Sequence, residues 1–391
     1  MGHSSLHDQA VRWLAGNQDR LIGWRRDLHA HPEVAYAEHR TTDLIVQVLS
    51  SLGLAPRRLS IGTGVLADIG SGPDFVALRA DIDALPLPDR KQVSYASVNP
   101  GVCHACGHDA HTAMLLGIAA TLAQASELPG PVRLIFQPAE ERMPGGAEAA
   151  VNDGALDRVS KIFALHCDPK LDVGQLGLRV GPITASFNQL DITLSGSGGH
   201  TARPQLTADI VFALGKLVTE LPGLLSRRID PRAAVSLVWG AISAGSAPNA
   251  IPAVGSLSGT VRMLDGGMWN QLHNIIAELA EQIVAPTGAQ LKLDYDPGVP
   301  AVVNDATLVA IQTKAAITAF GPESVSDTPQ SMGGEDFAWY LQTVPGVLAR
   351  LGVRTPGTVS GDLHQADFDI DERALGIGVR FTAAILDELW G

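Results

Sequence analysis

The sequence predicts an α/β protein: a mainly parallel sheet with helices on both faces, interrupted by a smaller inserted α+β domain. Three observations carry this expectation. Four short apolar runs, with helical stretches between some of them, show the pattern of a parallel sheet. A polar group suited to chemistry follows each of these runs. Between about Ser186 and Pro297 the pattern changes to strands with partial alternation.

Taken in order, the first element is a helix from about Asp8 to Leu28, where Val11, Leu14, Leu21, Trp24 and Leu28 follow a 3.6-residue period. A second helix is expected from Thr41 to Leu52, with Gly53 as its C-terminal stop. Phe75–Arg79 then leads into Asp81 and Asp83, and Val132–Phe136 into Glu140 and Glu141. A helix from Thr112 to Ala125 lies between these two runs. Lys161–Leu165 leads into His166, where Cys167, Asp168 and Pro169 suggest a strand leaving for a loop. Val347–Leu351 precedes a loop that carries His364. In parallel sheets the functional crevice lies beyond the carboxyl ends of the strands.

The insert reads as four strands, Gln189–Ser195, Ala234–Trp239, Gly255–Arg262 and Gln290–Tyr295. Helices from Thr207 to Leu225 and from Gly267 to Val284 fall between them, giving two βαβ-like halves. The expected division is residues 1–185 with 300–391 for the first domain and 186–299 for the insert.

At 391 residues the chain is too long for one ordinary core. Its 46% hydrophobic and 18% charged residues argue against disorder, and a net charge of -13 argues against nucleic acid or an anionic membrane as partner. The amino-terminal stretch lacks a basic segment followed by an apolar core, and no run of about 18 apolar residues is present. The odd set of Cys103, Cys106 and Cys167, each with a histidine close by in sequence, fits a reducing compartment and metal-bound thiolate, so a cytoplasmic location is expected.

Residues 104–112, HACGHDAHT, place a thiol, three imidazoles and a carboxylate at the front of an apolar segment. Such groups suit a borderline-soft divalent ion such as zinc better than a core. Cys106 and His108, two apart around a glycine, are free to face one ion. Cys103 and Cys106 also form a CxxC, which admits a redox pair or half of a zinc knuckle. A knuckle needs a second pair that Cys167 lacks, and nothing else supports a thioredoxin-type site.

Standing alone, Glu140 and Glu141 make an ordinary solvated pair at a strand end; beside a metal, one can bind the ion while the other takes a proton from bound water. A lone His166 is more often a satisfied core histidine, but its strand-exit neighbours favour a ligand, and His364 has weaker local support. Asp81 and Asp83 read as a solvated turn in isolation, and near a metal as groups that orient bound imidazoles. His200, on the loop 196–204 (GSGGHTARP), reads equally well as part of a hairpin turn. On local grounds Asn249 and Arg262 are solvated polar groups. Met332–Phe337 reads as a glycine turn into a short helix, with Glu335 and Asp336 in its first turn.

The ordered motifs together resemble the aminoacylase, hippurate hydrolase and indoleacetyl-amino-acid hydrolase family of two-metal amidohydrolases. They run from WRRDLHAHPE at 24–33 to LHQADF at 363–368. Between them lie RADIDALP at 79–86, HACGHDAHT at 104–112, FQPAEE at 136–141, GSGGHTARP at 196–204, NAIP at 249–252 and GGEDF at 333–337. The resemblance implies two divalent ions held by Cys106, His108, Glu141, His166 and His364, with Cys106 bridging. Zinc is expected, with manganese, nickel or cobalt as alternatives. Glu140 becomes the general base and then acid toward a metal-bridging water, and Asp83, catalytic with it, orients the groups that hold the ions. The insert becomes a lid and dimerisation domain, in which His200, Asn249 and Arg262 bind the substrate carboxylate or polarise the scissile carbonyl across a homodimer.

The implied activity is cleavage of N-acyl amino acids or related small amides. The alternatives are a non-catalytic small-molecule-binding homologue, or a dipeptidase or carboxypeptidase of the same fold. Two departures from the family pattern stand out. Gln205 follows Pro204 where the family often has histidine, and Cys103 stands where methionine is common. Neither removes an implied ligand.

Overall fold

The computed structural model describes residues 5–125, 127–359 and 361–391. The chain divides into two compact units, one of residues 1–181, 303–329 and 336–391, the other of residues 182–302 and 330–335. In the first unit, α1 (Leu6–Ala30) and α2 (His39–Ser51) precede β1 (Val65–Ile69) and β2 (Phe75–Asp81). Then come α3 (His108–Leu122), β3 (Val132–Gln137) and β4 (Val159–Asp172). The second unit holds β5 (Ser186–Ser195), α4 (Ile210–Arg228), β6 (Ser236–Ala244), β7 (Val254–Met263), α5 (Trp269–Val284) and β8 (Gln290–Val299). The first unit resumes with α6 (Ala306–Phe320), β9 (Gly346–Arg354) and α7 (Arg373–Trp390).

The four apolar runs become β2, β3, β4 and β9, which lie side by side in the order β3-β2-β4-β9, all parallel. β1 pairs antiparallel outside β3, and short strands at Arg57–Arg58, Leu176–Gly177 and Val325–Ser326 complete the sheet. Every residue of β2 and β3 is buried, as expected where helices cover both faces. Because the strands run the same way, their carboxyl ends gather along one edge of the sheet. This shared direction brings Asp81, the Glu140–Glu141 turn and His166 within reach of one another.

The helix α3 is buried at all of its residues, polar ones included, and so is a core helix without a solvent face. It packs tightly through Gly117, where a Cβ would stand 2.7 Å from Val379 Cγ2 on α7 and 3.0 Å from Leu21 Cδ1 on α1. At the start of α1 the Ser5 hydroxyl accepts from Asp8 N, and the Asp387 carboxylate of α7 accepts from Leu6 N and His7 N.

In the second unit, β6-β7-β5-β8 form an antiparallel sheet. Alternate residues Leu190, Ile192, Leu194, Leu257 and Val261 share a core with Leu214, Leu217 and Leu221 of α4 and with Leu272, Ile276 and Leu279 of α5. The period-2 pattern of the strands therefore meets the period-3.6 pattern of the helices on one face.

Three local expectations need correction. The helix expected from Thr112 begins four residues earlier, at His108, because Gly107 supplies the left-handed turn that starts it. The strand carrying His166 runs on to Asp172, since β9 continues to pair with it there. Glu335 and Asp336 precede the short helix Ala338–Leu341, and Asp336 is buried against Arg79, with its Oδ1 3.0 Å from the guanidinium.

Beneath the catalytic-type edge lies a buried ionic cluster. Arg25 Nε donates to Asp109 Oδ2 at 2.7 Å, and His29 Nδ1 lies 2.7 Å from the same oxygen. The guanidinium groups of Arg25 and Arg26 both lie over the Tyr95 ring, at 4.9 and 4.8 Å. Burial alone would lower the pKa of His29, but the Asp109 charge and bonds to Asp109 and Asp89 outweigh it and raise it to about 10. Folded His29 therefore keeps its proton far above the ordinary 6.5 at which the unfolded chain loses it. Its contribution to stability is complete below 6.5 and is lost as pH rises through about 10, with a slope of about 1.4 kcal/mol per pH unit. Denaturant titrations from pH 7 to 9.5 are expected to show a steeper loss of stability in the wild type than in His29→Gln. Parallel slopes would refute the assignment.

Candidate metal centre

The centre is built on the entrance to α3. Gly107, at φ +87°, turns the chain so that Cys106 and His108 flank the helix start. Cys106 Sγ lies 3.6 Å from His166 Nε2. The donor atoms of Cys106, His108 and His166 all lie within 4.8 Å of one another, as do those of Cys106, Glu141 and His364. Cys106 is common to both sets. His364 Nε2 is 3.2 Å from Glu141 Oε1, and the His364 main-chain N–H donates to Ala105 O at 2.8 Å, tying its loop to the cysteine segment. The structure thus brings together all five implied ligands.

The imidazoles of His108 and His166 are each turned by a contact at the other nitrogen. His108 Nδ1 lies 3.0 Å from Asp83 O and 3.3 Å from Asp83 Oδ1, which points Nε2 inward. His166 Nδ1 lies 2.8 Å from Cys167 O, leaving Nε2 toward Cys106. Asp83 also receives two main-chain donors, Glu140 N on Oδ1 at 3.1 Å and Glu141 N on Oδ2 at 2.9 Å. Glu140 is buried, with Oε2 3.9 Å from His108 Nε2.

The electrostatics describe a site that needs positive charge. Burial and the Glu141 and Glu140 carboxylates push the Cys106 thiol well above its usual range. Burial opposes protonation of His108, yet Asp81, Asp83 and Glu141 raise its pKa to about 10. Burial, with Arg350 next, holds His166 well below the ordinary histidine value. His108 Nε2 is buried with no hydrogen-bond partner among the described residues, its nearest carboxylate oxygens being 3.8–3.9 Å away. A thiol, three imidazoles and a carboxylate converging around such an orphaned nitrogen fit divalent cations.

The remaining groups of residues 104–112 serve other ends. His111 Nδ1 is 2.6 Å from Asp81 Oδ1, and its Nε2 accepts from Cys167 N at 2.9 Å, locking the strand next to His166. Asp81 is itself held by Arg79, which also donates to Gln137 and Asp336. His104 is buried and, by desolvation, its pKa falls to about 3, so it is neutral. Sequence reasoning missed the roles of Arg79 and Asp336; the available signal was an arginine within an apolar run, two residues before Asp81.

In the second unit, His200 and Asn249 come together: Gly199–His200 pairs with Ala250–Ile251, and Thr201 N donates to Asn249 O at 3.3 Å. Arg262 stands apart from them. It lies at the Phe187 end of β7, while Val254 at the other end pairs with Ser195. Eight residues of strand separate these ends by roughly 26 Å. Within one chain, Arg262 and the His200–Asn249 pair cannot grip the same small ligand. The Arg262 guanidinium lies over the Phe187 ring at 4.9 Å and donates to Met332 O.

A family model described as peptidase family M20/M25/M40 matches residues 77–388. The N-acetyl-L-cysteine deacetylase of Bacillus subtilis (strain 168) is 38% identical over 366 residues, spanning 93% of this chain and 86% of that protein. A Rhodococcus jostii (strain RHA1) protein named as a glutamate–cysteine ligase is 47% identical over 372 residues. The match spans 94% of this chain but 46% of that protein, so the chain covers about half of that relative. Among solved structures, the Bacillus subtilis YXEP protein, described as a dinuclear metal-binding peptidase from the M20 family, matches with TM-score 0.83 and 34% identity. That match covers 96% of this chain and 99% of the other.

A side chain at Gly107 would be strained at φ +87° and would place a Cβ 3.0 Å from both Cβ and Sγ of Cys167. Gly107→Ala is therefore expected to splay Cys106 from His108 and weaken metal retention at least ~10-fold, while far-ultraviolet circular dichroism stays native. Elemental analysis after dialysis checks this; wild-type metal content in the variant would refute the role given to the turn.

Proposed function

The chain belongs to peptidase family M20/M25/M40, and from that membership we propose that it hydrolyses the amide bond of N-acyl amino acids. That it is an enzyme acting on amides follows from the family and its relatives. Two divalent metal ions accord with the same membership. The observation that carries the finer reading is that Cys106 belongs to both donor sets while Glu140 stands beside them. We assign Cys106, His108, Glu141, His166 and His364 as ligands, Cys106 being shared, and zinc as the ion, because thiolate and imidazole donors dominate.

Ions bound there would polarise the amide carbonyl and bring the pKa of water toward neutrality. Glu140 accepts the proton of the attacking water and returns it to the leaving amine. Asp83 keeps Glu140 in place through the Glu140 N–H and turns His108 through Nδ1. Glu140→Gln is expected to keep its metals and lose at least ~100-fold in kcat, the lower range for removing a general acid–base. A panel of N-acyl amino acids, followed by amine release, tests the substrate class. A metal-loaded wild type inert on every member would favour a binding protein instead.

Homodimerisation through the second unit belongs to the same reading. β6 is an edge strand of its sheet, and Val238 and Ile242 on it are 60% and 58% exposed. Phe212 and Val211 of α4 are also exposed. Light scattering is expected to give a dimer for the wild type and a monomer for Ile242→Lys; a monomeric wild type would overturn this part. Substrate contacts from His200, Asn249 and Arg262 would then come from two chains, a reading their separation along β7 supports. Cys103, Cys106 and Cys167 are all buried and unpaired, which supports a cytoplasmic setting. Among the described residues, no helix is long and apolar enough to cross a membrane.

A further inference from the structure

The turn that presents the two glutamates adopts a conformation its own residues disfavour. Ala139 is fully buried at φ +56°, in the left-handed region that a residue with a Cβ avoids. Its immediate neighbours are Glu140 and Glu141, whose main-chain N–H groups both point at Asp83. The Ala139 N–H points elsewhere and donates to Glu38 Oε1 at 2.8 Å. Two buried carboxylates thus take three consecutive main-chain donors. On the far side of the turn, Gly146 N donates to Ala139 O at 3.2 Å, and the Tyr36 hydroxyl donates to Gly145 O at 3.1 Å.

Glu38 is oddly used for its place in the chain. It stands at the amino-terminal cap of α2, yet its side chain makes no capping bond and reaches across to Ala139. It is fully buried, with the Thr63 hydroxyl beside its carboxyl. Burial, with the Asp83 charge added, pushes its carboxyl up to about 7. A carboxylate in such surroundings is costly to keep without partners, and among the groups that hold this one is the main-chain N–H of the turn.

We propose that Glu38 is a positioning residue for the metal centre, holding Ala139 left-handed so that Glu140 and Glu141 face inward; this rests on the reading of that centre given above. Without the Glu38 bond, Ala139 relaxes toward negative φ, the following peptide rotates, and the Glu140 and Glu141 N–H groups leave Asp83. Glu141 then loses its aim as a ligand, and Glu140 its aim as a proton carrier. Glycine at residue 139 takes positive φ unaided and makes the bond dispensable.

Cobalt(II) titration of the metal-stripped full-length chain, read by visible absorption, tests this in the wild type, Glu38→Ala, Glu38→Gln and the double variant Glu38→Ala/Ala139→Gly. Glu38→Ala is expected to bind cobalt at least ~10-fold more weakly, the range for removing a group that orients a ligand. Glu38→Gln, whose amide oxygen still accepts from Ala139 N, stays near wild type, and the double variant recovers most of the loss. On the substrate panel, kcat should follow the same order with KM nearly constant. If Glu38→Ala does not fold, Glu38→Asp, one methylene too short to reach, replaces it. Wild-type cobalt binding in the single variant, or a double variant no better than the single, overturns the proposal. A purely structural Glu38 would produce that second outcome. A wild type that takes up no cobalt would remove the metal centre itself, and the proposal with it.

Discussion

Four carboxylates, Asp81, Asp83, Glu140 and Glu141, are gathered at the carboxyl edge of one parallel sheet, and the surrounding structure answers the charge they concentrate there. Burying anions together is tolerable only when cations or well-aimed donors meet each of them. Arg79 and His111 meet Asp81. Main-chain N–H groups of Glu140 and Glu141 meet Asp83. His108 and His364 face Glu141. Around the Cys106 thiol and Glu141, the partners drawn from the donor set itself are imidazoles. Divalent cations bound there would complete the charge balance.

Parallel topology creates this concentration. Antiparallel neighbours would send alternate strand ends to opposite edges, so β2, β3 and β4 could not deliver their polar groups to one place. The helix α3 then brings Cys106 and His108 at its amino-terminal end, and its complete burial leaves that end little freedom to drift. Under it, Arg25 and His29 with Asp109 and Asp89 form a second charge-balanced layer, so the helix start is anchored from behind as well.

Backbone conformation completes the arrangement at two positions. Gly107 makes a left-handed turn at no cost because it has no Cβ. Ala139 makes another with a Cβ, and there the neighbouring carboxylates hold what the residue itself resists. The second unit follows a simpler logic: antiparallel strands cover one face with α4 and α5 and leave β6 as an edge with exposed apolar side chains. Its own geometry separates Arg262 from His200 and Asn249 along β7.

Much of this was legible in the chain. The four apolar runs and the polar groups after them identified the parallel strands, because hydrophobic periodicity and strand-end chemistry are local properties. The cysteine, histidine and glutamate motifs, through the family they resemble, pointed to five residues that the structure brings together. Other features were set only by the fold. Nothing near Glu38 in sequence says that it reaches a main-chain N–H at residue 139, and nothing near Asp336 says that it lies on Arg79. His104 and His108 look equivalent in the sequence, yet one is a neutral core group and the other faces two glutamates. Such roles depend on distances between residues far apart along the chain and on the dielectric around them. Both come into being when the chain packs, and no local pattern of residue types contains them.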